Sequence, residues 1–322
     1  MSSSLQLWKN SHVRENRTWE FALSNEQRNE LVATTHAAIA GGATLDSISR
    51  EQFPIPGLTN VVEKINTDLS QGLGFVLLKR FPVDLLTQEE SELAYFGLGL
   101  HLGVPVRQNS NSELLSHIRD DRTKQEGEII RLYRTRERQD FHTDAADIIG
   151  LLCMHEAKSG GESKIVSSLT LYEEMMRRRP DLVNELRAPL YWDKQNEHKE
   201  GEQPYFQLSP IFDLNGEPRI FYVGWYIRNA QRWPDVPRLT ARQLEAMELL
   251  ESIANDPEFY LEMDFRPGDI QFLNNGRILH AREAYDDWED LDKRRHLLRL
   301  WLAAHEFVSV EETLRVGANP KG

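Results

Sequence analysis

Apolar positions along this chain follow two different periods. Three stretches with helical spacing open on a capping-box pair, Ser24 with Gln27, Thr87 with Glu90 and Thr240 with Gln243. They predict helices over "SNEQRNELVATTHAAIA", ending at Gly41–Gly42, over "TQEESELAYFGLGLHLG" and over "TARQLEAMELLESIAND". A fourth, "LYEEMMRRRPDLVNEL", is broken or restarted by Pro180. Between them lie strand-like runs at 74–81, 147–157, 163–168, 260–265, 269–275 and 296–304, and a pair, "PIFDL" and "RIFYVG", on either side of Asn215–Gly216. Asn-Gly between two apolar runs predicts a hairpin, and Pro267-Gly268-Asp269 a further turn. These strands do not alternate regularly with helices, which argues against a doubly wound parallel sheet. Many strands with turn signals and a few helices predict an α+β chain, a β-sandwich or jelly roll with helices packed outside. No repeat or Pro/Gly/Ser-rich linker divides it. The expectation is one jelly-roll unit over 71–322 with an N-terminal helical elaboration over 1–70.

Composition narrows the function. The 322 residues carry a net charge of −13, which disfavours non-specific binding to nucleic acid or anionic membranes. No window approaches the ~20 apolar residues of a transmembrane helix, and the first residues lack the apolar core of a secretory signal. Cys153 is the single cysteine, so no intrachain disulfide forms and a reducing, cytoplasmic location is expected. A small homo-oligomer is the base-rate expectation.

The candidate chemistry starts at "FHTDAADIIGLLC", where His142 and Asp144 stand two apart at the head of an apolar run. Residues i and i+2 of a strand point to one side, so both can converge on one ion. Two histidines and one carboxylate on one face of an octahedral metal such as Fe(II) leave positions open for other ligands. Spacing alone is weak: about 1.6 His-x-Asp/Glu pairs arise by chance from 10 histidines and 51 acidic residues, and the second pair, His198 and Glu200, sits in a polar loop. Context strengthens the first. A Gly-Gly turn in "SGGESKIVSS" leads into a strand, "FRPGDIQFLNNGRILHAR" delivers His280 after a strand and a short loop, and "RRHLLRLWL" places Arg295, Leu297, Arg299 and Trp301 on one face of a strand. Two arginines among Leu and Trp call for an anionic partner, because a guanidinium grips a carboxylate with two parallel hydrogen bonds. The competing explanation for them is a salt bridge to the acidic loop "EAYDDWEDLD".

With "GFVLLKRFP", "HLGVPVRQ", "FHTD", "SGGES", "PGDIQFLNNGRILHAR" and "RRHLLRLWL" in this order, the chain resembles the taurine dioxygenase (TauD/TfdA) family of Fe(II)/2-oxoglutarate dioxygenases, from about residue 74 to about 307. The resemblance implies a double-stranded β-helix of the clavaminate synthase-like kind. It implies iron on His142, Asp144 and His280, and 2-oxoglutarate held by Arg295 and Ser163, with Ser167, Ser168 and Arg294 as rivals. It matches Asn275 to the asparagine before the distal histidine, grouped here with the cofactor-binding residues, while Asn274 replaces the family's Asp. It implies O2 as the oxidant, and decarboxylation of 2-oxoglutarate to succinate and CO2 coupled to oxidation, by default hydroxylation, of an unactivated C–H bond. A carboxylate at 144 disfavours halogenation.

Arg299 matches a position that in some members grips an acidic substrate, so a carboxylate-, sulfonate- or amino-acid-like small molecule is expected. Tyr133 and Gln139 approach the metal strand, and Tyr222, Trp225, Tyr226 and Arg228 lie where the family faces its substrate. The polar stretch 107–139 is a candidate lid. His101, His155 and His305 are read as packed or surface histidines, and Cys153 as a core residue. The alternatives are a non-catalytic module or a 2-oxoglutarate-independent metal protein on the same fold.

Overall fold

All three capping boxes form, and in each the hydroxyl accepts from the third helical N–H while that residue's side chain returns to the cap. They open helices Asn25–Ala40, Gln88–Gly99 and Ala241–Ala254 in a computed structural model that describes residues 7–109, 111–120 and 132–304. Pro180 ends one helix, Ser168–Arg178, and supplies the first residue of the next, Pro180–Arg187, where its missing N–H costs nothing. Asn215 and Gly216 both take positive φ, 53° and 78°, and join strands Ile211–Leu214 and Glu217–Ile220, as a tight hairpin turn requires. The segment after this hairpin departs from expectation. "FYVG" does not extend the strand, and the chain turns instead into the short helix Gly224–Ala230. Helix Thr59–Ser70, which buries Val61, Ile65 and Leu69 on one face, was also not foreseen.

The strands form two sheets facing each other, a double-stranded β-helix. The larger runs Glu20–Ala22, Phe75–Lys79, Ile270–Asn274, Ile148–His155, His296–Ala303, Val104–Pro105, with Leu115–Ile118 also paired to His296–Ala303. The smaller runs Leu261–Met263, Ser163–Ser167, Ile278–Arg282, Gln139–His142. From residue 139 onward the chain passes back and forth between the sheets, and every pairing except that of Glu20–Ala22 is antiparallel. Between the sheets lie Phe75, Leu77, Ile149, Ile165, Met263, Leu273, Ile278 and Leu297. On the outer face of the larger sheet, Val76, Leu78, Leu152, Leu298, Leu300 and Leu302 pack under the N-terminal helices. Burying both faces of this sheet explains why Ile148–His155 and His296–Ala303 read as continuous apolar runs rather than alternating ones. Among the described residues, no helix is long and apolar enough to cross a membrane.

Candidate active site

Backbone register brings the two histidines together. His280, on strand Ile278–Arg282, pairs directly with His142 at the end of Gln139–His142. Both side chains point between the sheets, their ring centroids 4.2 Å apart. Asp144 does not continue the strand, as a pleat would have it. It lies in the turn beyond, held by its own backbone: its N–H donates to Asn275 Oδ1 at 2.8 Å and its carbonyl accepts from Asn275 Nδ2 at 2.5 Å. Asn275 therefore turns both ends of its amide to the Asp144 peptide and in this structure positions a candidate ligand. The preceding Thr143 is anchored by an N–H bond to the Tyr222 carbonyl.

The three side chains offer ligand atoms that all lie within 4.8 Å of one another, the one such group of His, Cys, Asp or Glu among the described residues. Asp144 Oδ1 is 3.8 Å from His142 Nε2, and Oδ2 is 3.8 Å from His280 Nε2. The Asp140 carbonyl lies 2.8 Å from His142 Nδ1 and holds that proton there, which leaves the Nε2 lone pair aimed inward. Burial pushes both imidazoles down, His280 to about 3 with neighbouring His142 adding to the effect, so both are neutral as ligands must be. Burial alone would raise the Asp144 carboxyl, but Arg299, His280, His142 and the Trp301 indole together hold it below the usual carboxylate range. Neutral nitrogens and an ionised oxygen converging in a buried pocket are the donor set a first-row divalent ion takes. His280 Nδ1 is buried with no hydrogen-bond partner.

Behind the triad the arginines divide. Arg295 is buried just ahead of strand His296–Ala303, its Nη2 donating to the Gly161 carbonyl at 3.4 Å and its Nη1 without a partner. Gly160 and Gly161 both have φ of 77°, and a Cβ on Gly161 would come 2.9 Å from Arg295 Nε. The Gly-Gly turn thus makes room for this guanidinium. The acidic loop does not neutralise it: Asp287 Oδ1 accepts from the Arg295 backbone N–H instead. Arg294 turns the other way and donates to the carbonyls of Trp288, Asp120 and Glu289. Ser163 is buried and its hydroxyl donates to Gln271 Oε1 at 3.3 Å, whereas Ser167 caps a helix through Thr170 N–H.

In front of the triad opens a cavity of about 690 Å3 lined by Tyr133, Gln139, Trp225, Tyr226, Arg299 and Trp301, among others. The Trp225 ring sits edge-on to His142, centroids 5.0 Å apart. Arg299 donates to Gln108 Oε1 at 2.8 Å and to Asp144 Oδ2 at 3.4 Å, and Trp301 Nε1 donates to the same Oδ2 at 3.1 Å. Arg228 is not in this wall. Glu251, on helix Ala241–Ala254, takes both its terminal nitrogens at 2.7 Å, and Tyr222 is spent on the same carboxylate. The arginine was expected to face substrate, and its ion pair with an adjacent helix overrides that.

Two contributors had been missed. Trp301 was assigned to the right face without its bond to Asp144. The hairpin Leu190–Asp193 with Tyr205–Leu208 supplies Trp192, Phe206 and Gln207 to the cavity, and its signal was the aromatic pairs "YW" and "YF" on either side of a polar loop. Of the candidate lid, residues 110 and 121–131 lie outside the described residues, as does His305. His101 bonds the Phe53 carbonyl, remote from the triad.

The model of the taurine catabolism dioxygenase TauD, TfdA family matches residues 40–301. FR-33289 synthase of Streptomyces rubellomurinus is 30% identical, over 92% of this chain and 88% of that protein. A taurine hydroxylase-like protein of Stachybotrys chartarum is 29% identical, over 84% of this chain and 72% of that protein. Among solved structures, asparagine oxygenase in complex with Fe(II), 2S,3S-3-hydroxyasparagine and succinate superposes with a TM-score of 0.68 at 14% identity, covering 88% of this chain and 93% of that one.

Proposed function

The chain belongs to the taurine catabolism dioxygenase TauD, TfdA family, and on that premise we propose that it hydroxylates an unactivated C–H bond of a polar small molecule carrying an acidic head. It is an Fe(II)- and 2-oxoglutarate-dependent dioxygenase. The observation that carries the reading is the convergence of His142, Asp144 and His280, whose ligand atoms lie within 4.8 Å of one another.

In this reading those three residues hold iron. Arg295, whose Nη1 is buried and unpaired, takes the distal carboxylate of 2-oxoglutarate, with Ser163 beside it. When bound, iron with 2-oxoglutarate and O2 supplies C–H oxidation coupled to release of succinate and CO2. The protein's own part is positional. Asn275 fixes the Asp144 peptide from both sides, and Trp301 and Arg299 fix one carboxylate oxygen, so the ligand set is preorganised. The aromatic wall of Trp192, Phe206, Trp225 and Tyr226 keeps water from the reacting carbon.

The cavity supports the substrate class. Arg299 is its one lining Lys or Arg among the described residues, and around it stand the amides of Gln108, Asn109, Gln139, Gln195, Gln207 and Asn229. One cation with many neutral donors and acceptors suits a substrate with a single acidic group and several other polar groups. A volume of about 690 Å3 admits a molecule larger than a free amino acid.

The test is an anaerobic titration with Fe(II) and then 2-oxoglutarate, followed by a screen for succinate release on adding O2 and candidate acids. The expected result is a weak visible charge-transfer band, and succinate release stimulated by polar acids over their neutral amides or esters. Iron binding with no band on adding 2-oxoglutarate would favour a metal protein that does not use it. Equal stimulation by acids and neutral analogues would remove the acidic head from the proposal.

A further inference from the structure

Arg282 stands two residues beyond the metal-facing His280 on the same strand, so its side chain also points between the sheets. It pairs across the sheet with Ser163 on one side and with Gln139 on the other. Like Arg295, it is buried. The two guanidinium centres each lie 5.1 Å from the centroid of one ring, that of Tyr285. Neither forms an ion pair with a carboxylate among the described residues. Arg282 Nε and Nη1, Arg295 Nη1 and the Tyr285 hydroxyl are all buried without a hydrogen-bond partner.

Two buried cations around one ring, neither of them ion-paired among the described residues, are a costly arrangement. Each disfavours the other, and each unpaired N–H adds its desolvation penalty. Most proteins leave few such groups, and here four atoms of three adjoining residues share the defect. A ligand carboxylate would satisfy several of them at once. The remaining nitrogen of Arg282 is already engaged: Nη2 donates to the carbonyls of Leu132 and Glu137. That segment carries Tyr133 toward the substrate cavity and runs into Gln139.

We propose that Arg282 is a second binding residue for 2-oxoglutarate, donating with Arg295 to its distal carboxylate and tying the occupied site to the 132–139 segment of the substrate cavity. The inference rests on the cosubstrate assignment above. Arg295, at the head of a strand of the larger sheet, would grip the carboxylate from one side, and Arg282 with its cross-strand neighbour Ser163 from the other, on the strand that carries His280. The cosubstrate's charge then relieves the repulsion that the two arginines otherwise bear.

The experiment compares two keto acids on the Fe(II)-loaded protein without O2, by calorimetry or by the visible band. 2-Oxoglutarate has a distal carboxylate, and 2-oxobutyrate has the same chelating end without it. In Arg282→Met, affinity for 2-oxoglutarate should fall by about tenfold or more, as expected for losing a hydrogen bond between charged groups, with 2-oxobutyrate affinity and iron content unchanged. Arg282→Lys keeps the charge but not the fork, so it should lose less, and it serves as the variant should the Met protein fail to fold. A ratio of the two affinities that is unchanged in the folded variant overturns the proposal, as does an equal loss for both acids, which would mark Arg282 as a structural prop. Arg295→Met distinguishes the two levels. If it weakens 2-oxoglutarate while Arg282→Met does not, only this inference fails. If neither acts because wild type does not bind 2-oxoglutarate, the cosubstrate assignment itself fails.

Discussion

Two histidine pairs lie on opposite sides of the larger sheet, a buried one carried by the smaller sheet and facing it from within, and a partly buried one on its outer face, and they are built to different ends. Inside, His142 and His280 stand with ring centroids 4.2 Å apart and tilted by 46°, an ionised carboxylate within 3.8 Å of each. Outside, His117 and His296 stack at 5.0 Å and 22°, and His117 Nδ1 lies 2.8 Å from His296 Nε2. Burial pushes one member of each pair, His280 and His296, down to about 3. What separates the pairs is where their lone pairs go. The outer nitrogens satisfy each other, and the nearest carboxylate, that of Glu92, reaches the far nitrogen of His117 at 3.8 Å. The inner Nε2 atoms instead face the Asp144 oxygens at 3.8 Å, and that of His142 also lies 3.1 Å from the Gln139 amide nitrogen. A buried, neutral histidine is therefore not evidence for a metal, whereas convergence with an ionised oxygen is.

The sharpest way to break this contrast is to remove the oxygen. Asp144→Ala leaves an inner pair with no third donor, and it should then behave like the outer one. Iron affinity is expected to fall by more than the ~10–100-fold that losing a supporting partner costs, and 2-oxoglutarate turnover should fall with it. Metal content after equilibrium dialysis checks this, with one iron per chain expected for wild type. Stoichiometric iron in Asp144→Ala would mean that two histidines suffice, and the distinction between the pairs would collapse.

A smaller effect is expected from Asn275→Ala. Asn275 touches no ligand atom, yet it holds the Asp144 peptide by two bonds, and Asp144 has no strand to hold it. Iron affinity should drop by about 10–100-fold while the fold survives, as circular dichroism would show. An unchanged affinity would mean that the turn keeps its shape without the asparagine.

How far the sequence reveals these features depends on how local their causes are. The capping boxes and the Asn215–Gly216 turn are set by neighbouring residues, and each forms where the spacing put it. Histidine and carboxylate were legible because the motif is short and the family order specific. Arg228 was misjudged because the group that binds it, Glu251, comes from another helix and nothing in the local pattern announces it. Arg282 was quoted within "LHAR" but given no role, because its partners are backbone carbonyls 145 and 150 residues away and a ring it shares with Arg295. The 190–193 and 205–208 strands escaped notice because four-residue strands carry little periodicity.

The smallest expected effect concerns the outer pair and tests it without touching the site. His296 is buried against His117, Arg119 and His155, and its own burial is the largest cause of its lowered pKa. Gln88, Asp120, Asp292 and Arg294 line the small cavity beside it. A histidine whose folded pKa lies below its unfolded value near ~6.5 stays neutral in the native state while the unfolded chain takes up a proton. Its contribution is complete above that value and is lost as pH falls from about 6.5 toward about 3, at up to about 1.4 kcal/mol per pH unit for one proton. His296→Gln cannot titrate, so urea unfolding followed between neutral and acidic pH should show a dependence shallower by about one proton than that of wild type. The same variant should keep one iron per chain. A pH slope equal to that of wild type would mean that His296 is protonated in the native state, and loss of iron would mean that the outer pair is no mere packing device.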